Sequence, residues 1–266
     1  MVTKTIGSPS LRLTLLLSLF IPTSCNGVTE IPVTINPPQS NEPPQDEPPQ
    51  DDSDDTYADE QKRMVAHDLA GRDIRHPAVL QAMGEVPRHR FVPVNLQAIA
   101  YQDSPLPIGS GQTISQPYIV ALMTQLAEPK PHHKALDVGT GSGYQAAILS
   151  KLVDEVFSIE IVESLAKDSG LRLKKLGFDN VTVRHGDGYA GWNSQAPFDV
   201  IIVAAAPDHV PPALIDQLAL GGKLVIPVGD WRQTLLLIEK KPDGTVSKRE
   251  VAPVAFVPMT GEAEKR

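Results

Sequence analysis

The chain has 266 residues, 41% hydrophobic and 21% charged, enough to bury a full globular core in one or two domains. Its net charge of −8 lies in the first 60 residues, where ten Asp/Glu face only Lys4 and Arg12; the rest balances at 22 acids against 22 bases. A neutral folded part carries no basic footprint for nucleic acid, and Cys25, the single cysteine, excludes a disulfide framework or a cysteine zinc site within one chain.

Lys4 and Arg12 precede an apolar run from Leu13 to Ile21, too short to span a bilayer but suited to the core of a secretory signal. Residues 1–25 therefore read as an export leader. Cys25, directly after Pro-Thr-Ser, resembles the lipid-acceptor cysteine of bacterial lipoproteins, with Pro22 as a departure from that pattern. A plain cleaved signal, or a true start further on at Met64, are the simpler alternatives. In residues 26–56 the tripeptide Pro-Pro-Gln recurs three times with acids between. Paired prolines favour polyproline II and like charges repel, so this is a solvated spacer reaching on the order of 80 Å at roughly 3.1 Å per residue. Leader and spacer place the protein outside the cytoplasm, held to a membrane through Cys25; a cytoplasmic location is the alternative.

Residues 57–266 form the folded domain. Helical spacing of Met64, Val65, Leu69, Ile74, Val79, Leu80 and Met83, broken at Gly71 and Pro77, predicts two short helices. An irregular Pro/Gly loop follows from Ser104 to Gly111, then a helix whose start is marked by Ser115 and Pro117. From there strand and helix alternate. Strands are predicted at 135–138, 156–161, 181–185, 198–205 and 223–228, with helices at 143–153, 164–176 and 211–220 between them, the last stopped by Gly221-Gly222. Near-continuous apolar strands in this order indicate an α/β, doubly wound, mostly parallel sheet. Segments 234–240 and 251–258, joined by Pro242-Asp243-Gly244, predict an antiparallel pair at its C-terminal edge.

The first strand-to-helix turn reads LDVGTGSGY, where Gly139, Gly141 and Gly143 alternate with Thr140 and Ser142, and Asp137 stands just before them. Such glycines let a ligand touch the backbone, and Glu160 at the end of the next strand can grip a ribose diol. The spacing Gly-x-Gly-x-Gly departs from the dinucleotide fingerprint. Asp137 would repel a pyrophosphate but attract the ammonium and sulfonium charges of S-adenosylmethionine. Asp187, before Gly188 on the third strand end, could accept from the adenine amino group.

Taken together, VPRHRFVP, YQDSPLPIGSGQTISQP, LDVGTGSGYQAA, the Glu of FSIE, NVTVRHGDGYAGW, APFDVIIVAAAP and GGKLVIPVG resemble the protein-L-isoaspartate O-methyltransferase family from about residue 60 to 261. The resemblance implies a seven-stranded methyltransferase sheet with an added N-terminal helical segment. It implies transfer of a methyl group from S-adenosylmethionine, without a metal, to the free α-carboxylate of L-isoaspartyl residues in damaged proteins and peptides. It places the family's catalytic hydroxyl on Ser115 and the substrate contacts on Gln112, Thr113 and Ile114. A monomer is expected. The first 56 residues depart from the family's usual form. Transfer to another carboxylate, or a non-catalytic envelope binding module on the same fold, are the alternatives.

An isoaspartyl carboxyl, with an ordinary pKa of about 3.3–3.7, is ionised at neutral pH and is its own nucleophile, so no general base is required. Catalysis then rests on alignment and water exclusion, and Ser115 would hold one carboxylate oxygen while the other faces the methyl. From spacing alone Ser115 reads first as a helix cap; only the resemblance reverses that order. His132-His133 reads as a solvated pair, and His185, Trp192, Phe198 and Asp199 read as structural. Asp103 reads as either ordering the substrate loop or stabilising a turn, the turn being the simpler reading.

Overall fold

The structure is a computed structural model that describes residues 54–265. The leader and most of the proline-rich spacer lie outside the described residues. Among those described, no helix is long and apolar enough to cross a membrane.

A 3-10 turn, Asp54–Tyr57, leads into α1 (Ala58–Arg63), which continues as a π-helical turn over Met64–Ala70. The predicted break at Gly71 follows, and α2 (Pro77–Glu85) begins on Pro77, whose missing N–H costs nothing in a first turn. Two 3-10 turns, Arg88–Phe91 and Val94–Ile99, precede a small hairpin of β1 (Leu106–Gly109) and β2 (Gln112–Ile114). Then come α3 (Pro117–Ala127), β3 (Lys134–Val138), α4 (Tyr144–Ser150), β4 (Glu155–Glu160), α5 (Glu163–Lys175), β5 (Val181–His185), β6 (Phe198–Val203), α6 (Pro212–Asp216), β7 (Leu218–Val228), β8 (Gln233–Lys240) and β9 (Val246–Val254).

The last seven strands form one sheet in the order β5-β4-β3-β6-β7-β8-β9. Pairing is parallel from β5 to β7 and antiparallel beyond it. Alternate residues feed two cores. Ala135, Val156, Val200, Ile202 and Val225 face one side with the N-terminal helices, α3 and α4. Leu136, Phe157, Ile159, Ile201 and Leu224 face the other with Trp192, α6 and Met259. Both faces are therefore buried, which is why these strands read as unbroken apolar runs. Each fully buried branched side chain contributes roughly 1.5–3 kcal/mol.

Two expectations change at the C-terminal half. The helix predicted to reach Leu220 ends at Asp216, because Leu218 already pairs with Phe198. Gly221-Gly222 lie inside β7 instead, where the register shifts; a Cβ on Gly222 would stand 3.0 Å from the Phe198 carbonyl oxygen. The edge strand β9 begins at Val246 and ends at Val254, so residues 255–258 run past the sheet instead of extending it. The helix expected over 143–153 is also shorter, ending at Ser150.

Candidate active site

The chain order reverses between β3 and β6, and in a doubly wound sheet that is where the strand ends part to form a crevice. A cavity lies there, walled by the Gly139–Ser142 loop, Glu160, Ile161, Gly188, Ala204, Ala205 and residues 257–260. Gln112, Thr113, Ile114 and Ser115 close it from the hairpin side.

The loop after β3 is held from below. Gly139 and Gly143 have φ of 92° and 91°, backbone that favours glycine, and a Cβ at Gly143 would also press on Leu173 at 3.1 Å. The Gly139 and Thr140 amides donate to the Ile159 carbonyl at 2.8 and 3.1 Å. Arg172 donates to the Ser142 carbonyl at 2.8 Å. Glu160, 5% exposed, fixes the loop further: Oε2 accepts from the Gly141 amide at 2.7 Å and Oε1 from the Val162 amide at 2.9 Å. A carboxylate has about four acceptor positions, so both oxygens keep capacity for a diol.

Asp137 lies near the end of β3, just before the loop. It is fully buried behind the loop and does not reach the cavity wall. Its Oδ2 accepts from the Ser158 hydroxyl at 2.7 Å, and Ser158 in turn meets Thr140 Oγ1 at 2.5 Å. Its Oδ1 has no hydrogen-bond partner among the described residues. Burial pushes the carboxyl up to about 7, with the Ser158 hydrogen bond opposing and the charge of Glu160 adding. Its link to the cavity wall runs through Ser158 to Thr140.

Asp187 is also drawn away. Its Oδ1 accepts from the Tyr189 amide and its Oδ2 from the Glu262 amide, both at 2.8 Å, and it does not line the cavity. Its role here is to fix the turn that presents Gly188. That glycine is required by close approach, since a Cβ there would meet Val138 Cγ1 at 2.3 Å.

Ser115 lies between two spaces. With Thr113 it lines both the cavity and a groove formed by Pro105, Gln116, Ile119 and residues 253–257. It is not a helix cap: the cap residue of α3 is Gln116, and no local side chain caps the helix. Asp103 does so from across the loop, its Oδ1 accepting from the Tyr118 amide at 2.9 Å. The groove wall at 253–257 and the cavity wall at 257–260 were not foreseen, because no local motif marks them. Gln233 sets the groove wall, accepting from the Phe256 amide at 2.6 Å and donating to its carbonyl at 3.0 Å.

Of the residues read as structural, Trp192 and Phe198 are buried, while His185 is exposed. Trp192 lies edge-on to Phe157 at 5.4 Å with Arg184 over its ring, and Asp199 accepts from the Lys134 amide at 2.8 Å. His133 accepts from the Lys130 amide, and no cluster able to hold a metal occurs among the described residues.

A glycine loop closed by a strand-end glutamate at the switch point, with a buried carboxyl group beneath it, defines a class I S-adenosylmethionine-dependent methyltransferase. The family model for protein-L-isoaspartate(D-aspartate) O-methyltransferase matches residues 59–264, and the chain belongs to that family. A protein-L-isoaspartate O-methyltransferase 2 from Polaromonas sp. is 58% identical over 72% of this chain and 92% of its own length. One of the same name from Syntrophobacter fumaroxidans is 51% identical over 79% and 89%. A crystal structure assigned to the Plasmodium falciparum enzyme, in complex with S-adenosyl-L-homocysteine, is similar at a TM-score of 0.66 and 30% identity, covering 75% of this chain and 98% of that one.

Proposed function

We propose that this chain is a protein-repair enzyme that methylates the free α-carboxylate of L-isoaspartyl residues in damaged proteins and peptides. The observation that carries the reading is the place of Ser115, which with Thr113 supplies the hydroxyl residues common to the walls of the cavity and the groove.

The cavity fits the methyl donor. Its glycine loop admits close backbone approach, Glu160 keeps acceptor capacity for the ribose, and the Asp137 carboxyl, whose Oδ1 has no partner and which burial pushes toward its protonated form, would ionise more readily beneath a cationic ligand. S-adenosylmethionine, when bound, supplies an electrophilic methyl on a positively charged sulfur. Gly139–Gly143, Glu160 and Gly188 hold it, with Asp137 and Asp187 supporting from behind. The groove takes the polypeptide, and Gln112, Thr113 and Ile114 form the partition between the two.

One substrate carboxylate oxygen accepts from the Ser115 hydroxyl, and the other attacks the methyl carbon as the carbon–sulfur bond breaks. Opposite charges are annihilated along one line, so alignment and exclusion of water supply the acceleration, on the order of 7–11 kcal/mol for alignment. The start of α3 adds less to carboxylate binding than a free helix N-terminus would, because Asp103 already occupies the Tyr118 amide. The ester carries a better leaving group than the free carboxylate: the following backbone nitrogen attacks its carbonyl, the methoxy group leaves as methanol with the proton from that nitrogen, and hydrolysis of the resulting succinimide returns part of it to aspartyl.

The test is incubation with labelled S-adenosylmethionine and an isoaspartyl peptide beside its aspartyl twin. Base-labile label in the isoaspartyl peptide alone is expected; equal labelling of both, or of neither, would overturn the reading. The leader reading adds a location: residues 1–25 export the chain, Cys25 carries a lipid, and residues 26–56 tether a monomeric domain spanning 57–266. Mass spectrometry of the native N-terminus should find a lipid-modified Cys25, and a mature chain beginning at Met64 would remove the export reading.

A further inference from the structure

Ser115 follows β2 directly, and β2 belongs to a two-stranded hairpin separate from the main sheet. The hairpin has three paired positions and a turn in which Gly109, Ser110 and Gly111 all have positive φ. A ribbon of this size is marginal by itself. Leu106 and Ile114, both buried, fasten its base to the core, but apolar contact alone does not direct a hydroxyl.

Directional contact comes from one carboxylate. Asp103 stands at the first stem of the hairpin and reaches the second. Its Oδ1 accepts from the Tyr118 amide at 2.9 Å, and its Oδ2 accepts from Gln116 Nε2 at 2.7 Å and from Arg72 at 3.2 Å. Arg72 also lies over the Tyr118 ring at 3.3 Å, and the Tyr118 hydroxyl donates to Asp73 at 2.8 Å. Charge-assisted bonds of this kind are short and orienting. The carboxylate thus clamps the residues on the far side of Ser115, while β2 holds the near side.

We propose that Asp103 is the positioning residue for Ser115, fixing the stems of the hairpin so that the hydroxyl stands between cavity and groove. The proposal rests on the role given to Ser115 above. Asp103 touches no reacting atom; it works only through the geometry of the loop.

The test uses the full chain and four variants: Asp103→Asn, Asp103→Glu, Ser115→Ala and the double variant Asp103→Asn/Ser115→Ala. In Asp103→Asn, kcat for an isoaspartyl peptide should fall on the order of tenfold to a hundredfold, as for a displaced catalytic contact, with cofactor affinity unchanged and KM changed less than kcat. Asp103→Glu keeps the charge but lengthens the arm, so it should also lose turnover, which keeps the idea exposed if the Asn variant does not fold. In the Ser115→Ala background, read by single-turnover label transfer, Asp103→Asn should cost almost nothing further, since residues acting through one another are not additive. Wild-type kcat in either folded Asp103 variant overturns the proposal, as does an undiminished loss in the Ser115→Ala background. Failure of the underlying reading is separate: it would appear as normal turnover in Ser115→Ala alone.

Discussion

The two halves of the site are built in opposite ways. The cofactor side is made from consecutive strand ends, and its polar groups are buried and mutually bonded: Asp137 with Ser158 and Thr140, Glu160 with two backbone amides. The substrate side joins residues 113–119 to residues 253–257, is open, and is ordered by a few long-range clamps, Asp103 at one wall and Gln233 at the other. The contrast follows from what each side must do. A ligand of one fixed shape is served by a rigid cradle, whereas a polypeptide with varied neighbours needs an open trough with one fixed point. In the proposed function Ser115 is that point.

The largest effect should come from breaking it. Ser115→Ala is expected to lower kcat on the order of a hundredfold, the loss of a hydrogen bond to a charged reacting group held in the transition state. Thermal stability should stay within about 0.5 kcal/mol, because the serine does not cap α3, and cofactor affinity should not move. Steady-state kinetics with calorimetry and a melting curve decide it. A destabilised protein with intact turnover would return Ser115 to a structural role.

A smaller loss should mark the cofactor side. Glu160→Gln replaces an acceptor-only group with an amide that cannot accept at both ends, so the Gly141 and Val162 amides cannot both be satisfied. Affinity for S-adenosylmethionine should fall roughly tenfold, with kcat at saturating cofactor nearly kept. Titration calorimetry that found affinity intact and kcat reduced would reverse the division of labour between the two sides.

The same contrast explains what the sequence made legible. Strand positions could be read because both sheet faces are buried and the runs are apolar, and the glycine loop because backbone approach leaves a local pattern. The hydrogen bonds of the two acids on strand ends were not legible. A sequence shows that Asp137 and Asp187 are charged; it does not show that Ser158, Tyr189 and Glu262 take up their oxygens. The groove wall is less legible still, since residues 253–257 reach the site only after β8 and β9 turn back across the sheet. The end of α6 was missed because Leu218–Leu220 are equally apolar as helix or strand, and pairing with Phe198 decides.

The smallest effect, and the one that distinguishes a field from a contact, concerns Asp137. Its carboxyl is raised from 3.8 to about 7, so the folded protein holds the proton more tightly than the unfolded chain does. The stability this provides is complete below about pH 4 and is lost as pH rises through about 7. Asp137→Asn, which stays neutral, should therefore gain stability relative to wild type between about pH 5 and pH 8, by about 1–3 kcal/mol at the upper end. A cationic ligand reverses the preference, because it favours the ionised carboxylate. The ratio of wild-type to Asp137→Asn affinity for S-adenosylmethionine should then climb roughly threefold to tenfold as pH passes about 7, while ionisation of the ligand itself cancels in the ratio. Paired titrations across that window measure it. A flat ratio near one would mean that the buried charge serves the loop through Ser158 and Thr140 alone. A large ratio already present at pH 5 would mean that Asp137 meets the ligand directly after all.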